Sequence, residues 1–300
     1  MFRRAALLLA PPLLLAAACA DKGSDEAEVK TGAAAVSALQ AAPDAIADAG
    51  TSQFEMTMEL TMEGDTVELV ATGAYDIPAE QMSMSMDMGA MFDQLTAATG
   101  EELPFELGDG VLELVTDADT AYLHFSLIET LTGASGWLSM SADELGTGAS
   151  SLGLGAGATD PTKMLEALRG VTDEPEVVGQ EEVRGVETTH YRGTLTLADA
   201  LEKVPEDQRA EVAAALDDLG EDGDASIPID VWIDGDGLPR RMTVDMGDAL
   251  AMVAPGGGSA TMTMELFDYG EPVDIAIPSP DEVTPFSEVM GGLGGFGGAS

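Results

Sequence analysis

The chain contains one thiol and two imidazoles, at Cys19, His124 and His190. Cys19 sits where a cysteine can be lipidated. Residues 1–19, MFRRAALLLAPPLLLAAAC, place Arg3 and Arg4 before an apolar run from Ala5 to Ala18. The small residues Ala16, Ala17 and Ala18 then lead into the cysteine, as a signal peptidase site requires. A spanning helix needs roughly 20 apolar residues; this run is shorter, and Pro11-Pro12 interrupts it. The stretch reads as a signal peptide over 1–18 and a lipid attachment site at Cys19. It departs from the usual pattern in placing Ala16 three residues before the cysteine, where Leu is common, with Leu15 one further back. An ordinary secreted chain cleaved near Ala18 is the alternative. Either way, the mature chain has no second cysteine for a disulfide.

No other group is arranged for catalysis. An enzyme needs a nucleophile with its base, a metal set, or paired titratable groups in a pocket. Strand parity puts His124 opposite Leu123 and Phe125. His190 shares a face with Arg192, opposite Tyr191 and Leu195. Both imidazoles are therefore expected on a wet face. No Gly-x-Ser-x-Gly elbow and no phosphate loop occurs. The acidic runs 217–224 (DDLGEDGD) and 234–237 (DGDG) lack the Gly and Glu spacing of a calcium loop. Asp-Gly pairs at strand ends are ordinary hairpin turns. The expectation is a non-enzyme without metal or cofactor.

Charge removes further classes. With 12 basic and 55 acidic residues the net charge is −43, and loss of Arg3 and Arg4 with the signal makes the mature chain more acidic still. A phosphate backbone would be repelled, so nucleic acid is excluded. An anionic bilayer surface would be repelled too, which leaves a covalent lipid as the means of membrane attachment. The 45% apolar content is nonetheless enough to bury a core.

Asp21–Lys30 is polar and charged, a tether between anchor and domain. Residues 33–48 place Val36, Leu39 and Ile46 at helical spacing, with a break expected at Pro43 and a restart near Asp44. Period-two strands follow. Phe54, Met56, Met58, Leu60 and Met62 alternate with polar residues; Val67, Leu69 and Ala71 do the same, then Met82, Met84, Met86 and Met88. Residues 89–107 read as a loop or short helix with Met91, Phe92 and Leu95 on its apolar side. Strands are expected over 111–115 and 121–127, a Gly-rich loop over 148–159 and a helix from Asp160-Pro161 to Gly170. A hairpin (175–182, 186–197) and a helix from Pro205 to Gly220 come next. Strands carrying Ile227, Ile229, Val231 and Ile233, then Met242, Val244 and Met246, then Met262, Met264 and Leu266 complete the pattern. The glycine-rich end, 287–300, reads as a disordered tail. About ten antiparallel strands, each with one apolar face, and a few short helices define an α+β class in which helices cover one side of a curved sheet. The expected division is a lipidated N-terminus, linker and first helix over 19–43 and a domain over 44–286.

Seventeen methionines against eight phenylalanines and two tryptophans set the character of the dry face. Unbranched, polarizable Met adapts to shapes that are not fixed, whereas a uniquely packed core favours Leu, Ile and Phe. The expected lining of an apolar cavity is Phe54, Met56, Met58, Leu60, Met62, Leu69, Met82, Met84, Met86, Met88, Ile229, Val231, Met242, Val244, Met262 and Met264. Plain core filling gives the same periodicity.

Three segments of the second half, 179–195 (GQEEVRGVETTHYRGTL), 231–241 (VWIDGDGLPRR) and 267–273 (FDYGEPV), resemble actinobacterial lipoproteins of the LppX/LprG type. The similarity runs from about Asp44 to Phe286. It implies a LolA-like fold, a curved antiparallel half-barrel with helices against its concave side and a hydrophobic cavity between them. It also implies a role in carrying or storing acylated lipid at the extracytoplasmic face of the cell membrane, with no catalytic residues. The gate to such a cavity is expected from the helices and from 89–107 and 148–159. The rival reading is a binding or sensing lipoprotein that meets an envelope protein through Trp232, Phe267 and Tyr269, outward by parity.

Overall fold

Alternation of apolar and polar side chains at period two dictates extended strands with one dry face, and such strands must pair to satisfy their backbone groups. The computed structural model describes residues 32–62, 65–99, 110–127, 129, 136–141, 175–196, 226–245, 247 and 258–289. Twelve strands form one sheet: β1 Thr51–Met62, β2 Asp65–Asp76, β3 Gln81–Asp87, β4 Val111–Asp117, β5 Thr120–Phe125, β6 Trp137–Ser141, β7 Glu176–Val183, β8 Val186–Thr196, β9 Ser226–Asp234, β10 Pro239–Asp245, β11 Gly258–Phe267 and β12 Val283–Pro285. Their order is β12-β6-β5-β4-β3-β2-β1-β11-β10-β9-β8-β7. Every pairing is antiparallel except β12 with β6. Two meanders, β1–β6 and β7–β11, therefore meet at a central β1–β11 seam. This is the open, curved, largely antiparallel sheet that was expected, with twelve strands in place of about ten. The additional strands are the short β6 and the three-residue β12, too brief to stand out as alternating runs.

Helix α1 spans Gly32–Ala49 without interruption, so the break expected at Pro43 does not occur. Proline inside a helix removes a hydrogen bond and costs about 3 kcal/mol. What holds the helix together is its stripe on both sides of that residue. Ala35, Leu39, Ala42 and Ile46, spaced four, three and four, are all buried in the core. Gly50, at φ +81°, ends the helix and donates its N–H to the Ile46 carbonyl at 3.1 Å. Helix α2, Gly89–Thr99, begins where Asp87 Oδ1 accepts the Gly89 N–H at 2.8 Å. Its Phe92 is buried and its Met91 half-buried; the Phe92 ring stacks on Phe125 at 6.1 Å.

The signal peptide with Cys19, the tether, the loop 148–159, the helices expected at 160–170 and 205–220, and residues 290–300 lie outside the described residues. So do the side chains of Met62, Leu95, Leu195 and Met246. Of the expected tail 287–300, residues 287–289 continue a helical turn that begins at Phe286, and Val289 packs against the core with Phe286.

Candidate functional site

Antiparallel register turns the alternating strands into rows of side chains that cross the inner face. One row runs Tyr191, Val231, Met242, Met264, Met56, Ala71, Met86, Leu112 and Phe125. The next toward the β1–β2 connection is Ile229, Val244, Met262, Met58 and Leu69. On the other side lie Leu266, Phe54, Gly73, Met84, Leu114, Leu123 and Leu138. Methionines thus stand beside methionines across the seam, Met56 opposite Met264 and Met58 opposite Met262.

Of the sixteen residues proposed from the sequence, fourteen are buried on this face, Leu60 is half-buried, and the side chain of Met62 is not described. The structure brings them together in one contiguous apolar cluster with α1, Tyr75, Phe92, Leu114 and Phe125. Gly73 is required here. A Cβ on it would meet the Ser83 carbonyl oxygen at 2.1 Å and the Phe54 ring at 2.4 Å. Its absence lets Phe54 lie across β2 and stack on Tyr75 at 4.7 Å.

The outer face is built on different chemistry, concentrated where β7–β11 present their other side. His190 is buried, 4% exposed, so the wet position expected from parity is correct in direction and wrong in exposure. Its Nδ1 lies 3.1 Å from Glu181 Oε1 and its Nε2 lies 2.5 Å from Asp230 Oδ1. Carboxylates only accept, so a ring nitrogen that carries a proton donates to the acid it faces. The ring also stacks on Trp232, with centroids 4.1 Å apart. Trp232 Nε1 donates to Glu181 Oε2 at 3.0 Å, and the Arg241 guanidinium lies 5.4 Å from the indole centroid.

The ionic chain continues across the seam. Arg241 donates from Nε and Nη2 to Glu265 Oε1, at 2.8 and 2.5 Å. Arg184 reaches Glu265 at 2.6 Å and Glu55 at 3.0 Å while its guanidinium covers the Phe267 ring at 4.2 Å. Arg192 donates to Asp230 at 2.9 Å. All four arginines among the described residues, 184, 192, 240 and 241, lie on β8, on β10 or in the β7–β8 turn, and each meets a carboxylate. Arg184 sits in the two-residue β7–β8 turn with φ +48°, followed by Gly185 at +83°, the backbone a type I′ hairpin demands.

These contacts set the titration of the acids. Hydrogen bonding from Trp232 leads in holding Glu181 below the usual carboxylate value, against desolvation and with help from His190. Burial works against the Glu265 charge, but Arg241 and Arg184 together outweigh it and hold that pKa down as well.

The surface expected for a partner is altered accordingly. Trp232 does point outward, but it is only 8% exposed, enclosed by the cluster. Phe267 is half-buried beneath Arg184. Tyr269 is not outward: it packs against the inner core and donates its hydroxyl to the Pro239 carbonyl at 2.5 Å. The reason is Asp268, at φ +50°, where the chain leaves the strand and parity resets. At the far end of the same cross-sheet row, His124 is half-buried and faces Glu113 at 3.2 Å and Glu129 at 3.7 Å. The Asp234 turn holds no open ligand set. Its Oδ1 accepts the N–H groups of Asp236 and Leu238 and its Oδ2 the Arg240 Nε–H.

Two shallow grooves open on the surface. One of about 390 Å³ is lined by Val183, Arg184, Val186, Arg240, Leu266, Phe267 and Asp268. The other, about 250 Å³, lies between Thr120, Tyr122 and Ser139 and the proline-rich segment of Pro278, Pro280, Val283 and Pro285. Neither is lined by a methionine. Among the described residues no helix is long and apolar enough to cross a membrane.

No protein-family model matches the chain. An uncharacterized 31.2 kDa protein from the rplA-rplJ intergenic region of Streptomyces griseus is 28% identical over 279 residues, covering 89% of this chain and 84% of that protein. Among solved structures the chain is similar to LprF from Mycobacterium bovis, with 15% identity, TM-score 0.43, and 83% of this chain and 99% of that one covered. It is similar also to the lipoprotein LppX of Mycobacterium tuberculosis, with 16% identity, TM-score 0.42, and coverage of 80% and 99%. The LppX-type resemblance read from the three sequence segments is met among these neighbours.

Proposed function

We propose that this chain is a lipid-anchored protein of the cell envelope whose inner sheet face receives an apolar ligand, an acylated lipid, for carriage or storage. The observation that carries this reading is the contiguous methionine rows on the inner face, Met242–Met264–Met56 and Met262–Met58, with Met82, Met84, Met86 and Met88 beside them. Side chains with three rotatable bonds and no branch can repack around a guest at low cost. A buried CH₂ contributes about 0.8 kcal/mol, so a 16-carbon chain gains on the order of 10 kcal/mol before entropic costs. That suffices for extraction from a bilayer without polar readout. The reading is non-enzymatic and needs no cofactor.

The anchor is Cys19 on the extracytoplasmic face, joined to the domain by the charged tether 21–30. The division at 19–43 and 44–286, and the sixteen residues as cavity lining, belong to the same proposal. Extraction of natively purified protein followed by lipid mass spectrometry tests the cargo; reproducible absence of lipid, with no uptake of a fluorescent fatty acid, sinks it. The anchor is tested separately. Wild-type chain should incorporate an alkynyl-palmitate label and remain with membranes, and Cys19→Ser should lose both.

A further inference from the structure

Among the described buried residues only Ser52, Thr188 and His190 are polar. Thr188 and His190 belong to the outer face and have partners: Thr188 donates to the Glu181 carbonyl at 2.7 Å, and His190 meets two carboxylates. Ser52 differs on both counts. It shares the parity of Phe54, Met56 and Met58, which places it on the inner face, and it is 0% exposed with no hydrogen-bond partner for its Oγ. A buried hydroxyl in this state is rare and needs a reason.

Its position supplies one. Ser52 pairs across the strands with Tyr75, whose ring stacks on Phe54 at 4.7 Å. It therefore terminates the apolar track at the end where α1 finishes, and the methionine rows begin four residues further along β1. The face from Ser52 to Met62 extends about 34 Å at about 3.4 Å per residue. It offers the Ser52 hydroxyl at one end, with the buried phenol of Tyr75 beside it, and apolar side chains along the rest. The described residues add no charged group to this face.

From this we infer that Ser52 is the polar reading point of the ligand face. Its Oγ–H donates to the carbonyl oxygen of an acyl carboxyl or ester, which fixes the direction in which the chain lies along the methionine rows. Neutral hydroxyls do not neutralise a phosphate, so the ligand class is one acyl chain with one carbonyl-bearing end. The inference rests on the apolar-ligand reading above.

The test uses the full mature chain as wild type, Ser52→Ala and Ser52→Thr. Each is titrated with a 16-carbon fatty acid and with the chain-matched alkane, and each apo protein is melted. Removing one neutral hydrogen bond should weaken the fatty acid roughly three- to tenfold in Ser52→Ala and leave the alkane unchanged. Ser52→Thr should restore the discrimination, and apo Ser52→Ala should melt no lower than wild type, since it loses an unpaired hydroxyl. Equal weakening of both ligands, or no change in either, overturns the role of Ser52 alone. A clear drop in the apo melting temperature of Ser52→Ala overturns it too, because the hydroxyl would then be satisfied internally. If wild type binds neither probe, the apolar-ligand reading falls and takes this one with it.

Discussion

The two faces of the sheet use opposite means of holding the same strands. The inner face is joined by dispersion among unbranched side chains, Met56 against Met264 and Met58 against Met262. These contacts have little direction and many near-equal arrangements. The outer face of β7–β11 is joined by directional bonds, from Glu181 through His190, Trp232 and Arg241 to Glu265, Arg184 and Glu55. Each has one geometry. The contrast suggests a division of labour in which the outer network fixes the strand register so that the inner side chains are free to repack. Were both faces built like the inner one, register along the β1–β11 seam, which no turn joins, would rest on apolar parity alone.

The largest effect should follow from breaking the outer network at its centre. Trp232→Ala removes the stacking partner of His190 and a donor to Glu181 together, and a buried Trp→Ala costs about 3–5 kcal/mol. Urea unfolding should show that loss in the midpoint. A change below about 1 kcal/mol would mean that the network is decoration rather than a lock. Next comes the one inner position that is rigid. In Gly73→Ala the new Cβ meets backbone at Ser83, so overpacking of about 1–3 kcal/mol is expected, relieved in part by Phe54→Leu in the same chain.

The inner face was legible residue by residue because period two is a local property. Every described residue from Phe54 to Met58 and from Met82 to Met86 falls on the face its parity assigns. The outer cluster was not legible, although the outward direction of His190 and Trp232 was. Their burial depends on Glu181, Asp230 and Arg241, supplied by β7, β9 and β10, past irregular registers at Val177/Gly179 and Pro239/Arg241. Parity also fails once the chain leaves a strand, as at Asp268, which sends Tyr269 inward. The continuity of α1 through Pro43 is similar. Local propensity argues for a break, and burial of Ala35, Leu39, Ala42 and Ile46 decides otherwise.

A milder perturbation of the inner face sharpens the contrast. Met56→Leu with Met264→Leu conserves volume and should cost less than about 1.5 kcal/mol per site. If the methionines serve adaptability, the double variant should narrow the range of acyl lengths taken up while binding its best ligand as well as wild type does. Unchanged breadth would return these residues to plain core.

The smallest effect, and the one that isolates the outer face without changing a residue, is pH. Glu181 and Glu265 are held below the usual carboxylate value in the folded protein, so the unfolded chain binds protons more readily as pH falls. Their contribution is complete above about pH 4.5 and is lost as pH falls through their folded values. Burial pushes the Tyr269 phenol up, with Arg240 opposing and Asp234 adding, so its neutral form favours the fold. That contribution is complete below about pH 10 and fades as pH rises above it. Stability should therefore be level across neutral pH and fall at both ends. In Glu265→Gln the acid limb should be shallower, since one proton uptake on unfolding is removed, while Tyr269→Phe should flatten only the alkaline limb. Both variants leave the methionine rows untouched, so fatty-acid affinity at pH 7 should not move. A fall in that affinity with Glu265→Gln would show that the two faces are coupled, and the division of labour between them would have to be abandoned.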